Sequence, residues 1–110
     1  HADRYADLLR DLIDDWRRLW GRGDFPFLLV QLPAHGVPCA HDPDSAWARL
    51  REAQLRVAGK VPNVMMVVTL DVGEADDIHP KDKAPVGDRL AQAALVRIHG
   101  FPGALTGPLP

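Results

Sequence analysis

The densest group of reactive side chains is the pentapeptide Asp76-Asp77-Ile78-His79-Pro80, which sets two carboxylates beside one imidazole. A carboxylate bonded to one ring nitrogen of a histidine fixes its tautomer and stabilises the imidazolium, leaving the other nitrogen to act as a base. Pro80 disfavours the helical region for His79 and so predicts an extended loop there. The pattern fits the base half of a Ser-His-Asp arrangement. On the residues alone, an acidic loop with a helix-capping aspartate is the simpler reading, and a carboxylate-rich metal loop is a third. A second group, His35, Cys39, His41 and Asp42, reads as His-x-x-x-Cys-x-His. That spacing matches no common zinc pattern and lacks a fourth ligand, so an exposed loop is the simpler reading. The single serine, Ser45, stands where a helix cap is needed, and the single asparagine, Asn63, stands just before an apolar run.

The elements that must hold these loops follow from periodicity. Tyr5, Leu8, Leu9, Leu12, Ile13, Trp16, Leu19 and Trp20 recur at three- and four-residue spacing, which predicts a helix stopped by Gly21 and Gly23. Its other side is charged, with Asp14 and Arg18 placed to pair across a turn. Residues 25–32 are apolar without alternation, the mark of a parallel strand covered on both faces, with Pro26 at its start. Residues 33–44 carry three prolines and form a loop. Asp44 or Ser45 caps a second helix, with Ala46, Trp47, Leu50, Ala53, Gln54 and Val57 on one side and Gly59 at its end. Residues 64–70 form a second apolar strand, with Asp71 at its carboxyl end. After the acidic loop, Asp82 caps a third helix that tolerates Pro85 in its first turn. Val86, Leu90, Ala93, Ala94 and Ile98 give this helix its core side, and Gly100 closes it. The tail, 101–110, is irregular. The three tryptophans, at helical spacing, are expected in the core or at an interface.

Strands separated by helices imply an α/β fold with parallel pairing and right-handed crossovers. Ligands in such sheets bind beyond the carboxyl ends of the strands, where both reactive loops lie. Two strands do not cover both faces of a sheet by themselves. Residues 1–110 are therefore expected to be one partial domain, the C-terminal half of a doubly wound fold. The chain also opens directly into a helical pattern without an initiator Met or signal peptide, as a piece of a longer chain would.

Composition narrows the function classes. The chain has 110 residues, 46% apolar and 25% charged, enough for one domain and unlike a disordered tail, a collagen repeat or a pure coiled coil. A net charge of −2 gives no electrostatic motive for binding nucleic acid. One cysteine cannot form an internal disulfide or a Cys-rich zinc site. The run at 64–70 is too short to span a bilayer. No Gly-rich phosphate loop follows either strand, so nucleotide binding has no support. A receiver-like domain with Asp71 as phosphoacceptor would need an earlier acidic cluster and a later lysine, which the element order does not supply.

Several separate blocks carry a family resemblance. Asp15-Trp16-Arg17, Trp20-Gly21-x-Gly23-Asp24-Phe25-Pro26-Phe27 and Val30-Gln31-Leu32 come first. Trp47-Ala48-x-Leu50-Arg51-Glu52-Ala53-Gln54, Asp77-Ile78-His79-Pro80-Lys81-x-Lys83 and Val86-Gly87-x-Arg89-Leu90-Ala91 follow, with Gly107-Pro108 in the tail. In this order they resemble the sialate O-acetylesterase-like carbohydrate esterases of the SGNH hydrolase superfamily. The resemblance implies a three-layer α/β/α sandwich, an acetylated carbohydrate substrate such as sialic acid or a xylan-type glycan, and no metal or organic cofactor. It assigns His79 as the general base for a serine. Either Asp76 (as Asp-x-x-His) or Asp77 (as Asp-Ile-His) would orient it. Members of this family are often exported, which implies an extracellular or periplasmic setting. The family's nucleophile and oxyanion-hole glycine and asparagine lie upstream of the first helix. Ser45 is explained by capping, and Asn63 falls at the wrong end of the sheet. The chain is thus expected to carry the histidine part of a site whose N-terminal half is elsewhere, and to be inactive alone. The alternative is a non-catalytic glycan-binding or interaction module.

Overall fold

The computed structural model describes residues 2–35, 45–74, 76, 77, 79 and 81–103. Cys39, His41, Asp42 and Asp44, like the 104–110 part of the tail, lie outside the described residues. Five elements follow in order: α1 (Ala2–Trp20), β1 (Phe27–Val30), α2 (Ala46–Lys60), β2 (Val64–Val67) and α3 (Ala84–Arg97). The strands pair in parallel, with Phe27 opposite Val64 and Val30 opposite Val67. Helix α2 forms the crossover between them, as the alternation of element types requires.

The pleat divides the strand side chains between two layers. Phe27, Leu29 and Val64 share one face and pack with Ile13, Ala6 and Leu9 of α1 and with Val57 and Ala58 of α2. Helix α3 packs on both strands, taking the opposite face, where Val67 is fully buried. The result is a slice through an α/β/α sandwich. No helix among the described residues is long and apolar enough to cross a membrane.

At the amino ends of the strands, Arg17 of α1 is buried and ties three segments together. Its guanidinium donates to the carbonyl oxygens of Phe25 at 2.9 Å and Pro62 at 2.8 Å, and its Nη2 reaches that of Asn63 at 3.3 Å. Asn63 adopts a left-handed φ of 57° and donates its side-chain amide to the Asp24 carbonyl at 2.7 Å. A residue that tolerates this conformation while bonding locally is what such a turn needs. Asn63 is therefore a structural residue at the end of the sheet away from the His79 loop.

Several local features differ from the sequence reading. Both strands are shorter than their apolar runs, because residues 68–70 leave the ladder to begin the following loop. Helix α2 continues one residue past Gly59, to Lys60, and Val61 caps it by donating to the Val57 carbonyl. Arg18 pairs with Asp15 at 2.6 Å, three residues back, rather than with Asp14. Ile98 lies just beyond α3 and is exposed. Trp16 and Trp20 are exposed at 50% and 69%, with Leu8, Leu12 and Leu19 beside them on α1. Trp16 and Trp20 still make tilted ring contacts with Phe27 and Phe25, each at 6.0 Å between centroids, and Trp47 is half-buried with its indole N–H on the Pro33 carbonyl at 2.7 Å.

Candidate active site

The site builds outward from the carboxyl ends of the two strands. Just past β1, the Gln31 amide N–H donates to the Val67 carbonyl at 3.0 Å, and its own carbonyl accepts the Thr69 hydroxyl at 2.6 Å. The Leu32 N–H donates to the buried Gln54 side chain at 3.0 Å, which in turn donates to the Tyr5 hydroxyl at 3.2 Å. These bonds carry the strand alignment beyond the ladder, through a polar layer shared by α1, α2 and both strand ends. The Gln31 side chain is 1% exposed and has no hydrogen-bond partner among the described residues.

The two loops then meet. A Cβ placed on Gly73 would collide with the main-chain atoms of Ala34, so only glycine allows this approach. The second loop turns at Thr69, whose carbonyl accepts the Val72 N–H at 3.1 Å. Asp71 meets Arg89 of α3 in a two-pronged ion pair, Nη1 to Oδ1 at 2.7 Å and Nη2 to Oδ2 at 2.5 Å. The same Nη1 also donates to the Val68 carbonyl at 2.7 Å. The hydrogen-bonded guanidinium holds the Asp71 carboxyl below the usual carboxylate range. Asp71 is thereby committed to Arg89, which leaves the receiver-like reading without a free phosphoacceptor.

Acidic side chains brace the rest of the loop. Glu74 accepts the Lys81 N–H at 3.1 Å, and Asp82 accepts the Ala84 N–H at 3.1 Å, next to the Lys83 cap position of α3. Asp77 accepts the main-chain N–H of His79 at 2.8 Å. Its carboxylate thus shapes the turn; the His79 ring makes no hydrogen bond or ion pair with any described residue. His79 and Asp76 are exposed, and Asp77 is half-buried. Asp76, Asp77 and His79 therefore share the loop beyond β2, with the bonding of Asp77 directed to the backbone rather than to the imidazole. Among the described residues no three of His, Cys, Asp and Glu come together as a metal-binding group. Ser45 caps α2, accepting the Ala48 N–H at 3.1 Å.

Sequence reasoning gave no role to Arg89, Gly73 and Gln31, although Gln31 and Arg89 stand within the family blocks. The roles of Arg89 and Gly73 arise from contacts between distant segments. Arg89 had one available signal, an arginine in the early turns of a helix that follows an acidic strand end.

Comparison with known proteins was then decisive. A family model for carbohydrate esterases, sialic acid-specific acetylesterase, matches residues 1–96. The chain belongs to this carbohydrate esterase family. A crystal structure of a novel carbohydrate acetylesterase from Xanthomonas citri is similar, with a TM-score of 0.77 and 35% identity over 89% of this chain. No curated protein matches. The esterase-family chain spans 22% of the length of the Xanthomonas citri protein. Its helices and parallel strands form a small α/β unit that matches a portion of that acetylesterase.

Proposed function

We propose that this chain is part of a longer carbohydrate O-acetylesterase, that it supplies the histidine of the reaction, and that the nucleophilic serine comes from outside residues 1–110. The supporting observation is the family match through residue 96, which includes the Asp76–His79 block. The loop position agrees with it, since His79 is exposed beyond the carboxyl end of β2, where ligands meet such sheets. His79 takes the proton of the serine hydroxyl as its oxygen attacks the acetyl carbonyl. When the bond to the sugar oxygen breaks, the same proton passes to the leaving hydroxyl. Water activated by His79 then releases acetate from the serine. Asp76 or Asp77 orients the imidazole. The substrate is an acetyl ester on a sugar, of the sialic acid or xylan type.

Nucleophile, base and oxyanion hole act as a unit, so the chain alone is expected to turn over no activated acetyl ester beyond an imidazole background. In the complete polypeptide, His79→Ala is expected to lower kcat by about 10³-fold or more. Asp76→Asn and Asp77→Asn, measured separately, identify the orienting carboxylate as the costlier loss. Turnover by residues 1–110 that disappears in Ser45→Ala would sink the proposal, because the lone serine would then be the nucleophile.

A further inference from the structure

Helix α3 touches the His79 loop at both of its ends. Asp82 and Lys83 lead the loop into the helix three and four residues after His79, and Arg89, in the second turn of the helix, reaches back to where the loop begins. Arg89 makes three short hydrogen bonds there, two to Asp71 and one to the Val68 carbonyl, immediately past the last ladder residue of β2. Its side chain is 16% exposed, whereas that of Asp71 is 46% exposed. A forked guanidinium fixes both the direction and the distance of a carboxylate, which a point charge does not.

Resting on the reading of His79 as the base, we infer that Arg89 is a positioning residue for the esterase reaction: its grip on Asp71 and the Val68 carbonyl sets where the 71–80 loop leaves the sheet, and so where the His79 imidazole stands. The remaining restraints on the loop do not replace this one. Glu74 bonds to Lys81 and Asp77 to His79, so both act within the loop or on its far side. The Gly73 approach to Ala34 limits the loop on one side only. Arg89 is the described contact that ties the loop's first residue to a rigid helix through a side chain. A displacement of about 1 Å at a catalytic group can cost on the order of 10²-fold in rate. Substrate binding depends on other groups and need not change.

The test is steady-state kinetics on the complete polypeptide with an acetylated sugar, expressed per folded molecule from near-ultraviolet circular dichroism. Arg89→Gln is expected to lower kcat by about 10- to 100-fold with KM within about twofold, and Arg89→Lys, a point charge without the fork, to recover no more than a part of the loss. Asp71→Asn keeps the shape and weakens the same grip, and should show the same kcat-selective loss if Arg89→Gln does not fold. Should His79→Ala abolish turnover while Asp71→Asn and Arg89→Gln keep kcat per folded molecule, the positioning role is overturned and the base reading stands. If His79→Ala retains turnover, both fall. A parallel rise in KM would also overturn the inference, since it would mean that the arginine serves substrate binding instead.

Discussion

At the residue scale the Asp71–Arg89 pair has a pH signature. The Asp71 carboxyl is held below its ordinary value of 3.8 by the Arg89 hydrogen bonds. A depressed folded value means that the pair stabilises the fold fully above the unfolded carboxylate range. That contribution is lost as pH falls through the folded value. Asp71→Asn should therefore be less stable than the wild type near neutrality, and the two should converge as pH falls through the lowered folded value and the wild-type carboxyl is also protonated. Urea melts at a series of pH values check this. A stability gap that did not narrow at all as the pH was lowered from neutrality into the acid range would show that the aspartate acts through packing rather than charge.

At the element scale the caps separate structure from chemistry. Ser45 accepts the Ala48 N–H at the start of α2, so Ser45→Ala should cost about 1 kcal/mol, the ordinary value for such a cap. In the complete polypeptide the same variant should leave kcat unchanged, because the hydroxyl is engaged at a helix end. Thermal melts and turnover measured on one preparation distinguish the two effects. Helix α3 ends as Gly100 allows, with a φ of 71° that lets the Phe101 N–H reach the Leu95 carbonyl at 3.0 Å. Both caps were legible because a cap depends on residues within one turn. Asp82, expected as the cap of α3, is not: the cap position is Lys83, which makes no side-chain capping bond, and Asp82 accepts the Ala84 N–H from one residue earlier.

At the scale of the whole molecule α1 carries a wider apolar stripe than its neighbours cover. Ile13 is fully buried with Ala6 and Leu9 packed nearby, while Leu8, Leu12, Trp16 and Leu19 are exposed on the adjoining side. Contiguous apolar surface of this kind drives association. Residues 1–110 produced alone are expected to self-associate at micromolar concentration and to bind a hydrophobic dye. Leu12→Glu combined with Leu19→Glu should reduce both without lowering the melting temperature, because neither side chain is buried. Sedimentation velocity reads the result, and a wild-type chain that stays monomeric at high concentration would refute the expectation.

Periodicity and end signals determined the existence, order and type of the five elements among the described residues, since the spacing of Leu9, Ile13 and Trp16, the capping at Ser45 and the helix-stopping Gly100 are local properties. The separate motifs from Asp15 to Ala91 likewise determined the family. Tertiary structure alone decided which half of the α1 stripe is covered, because a 3.6-residue period marks an apolar face without saying what lies against it. It also placed Arg17 under the amino ends of the strands, and Gly73 against Ala34. It joined Asp71 to Arg89 across 18 residues of sequence. Pairings of this kind depend on how the chain returns after a crossover, and residue types and spacing do not encode that distance.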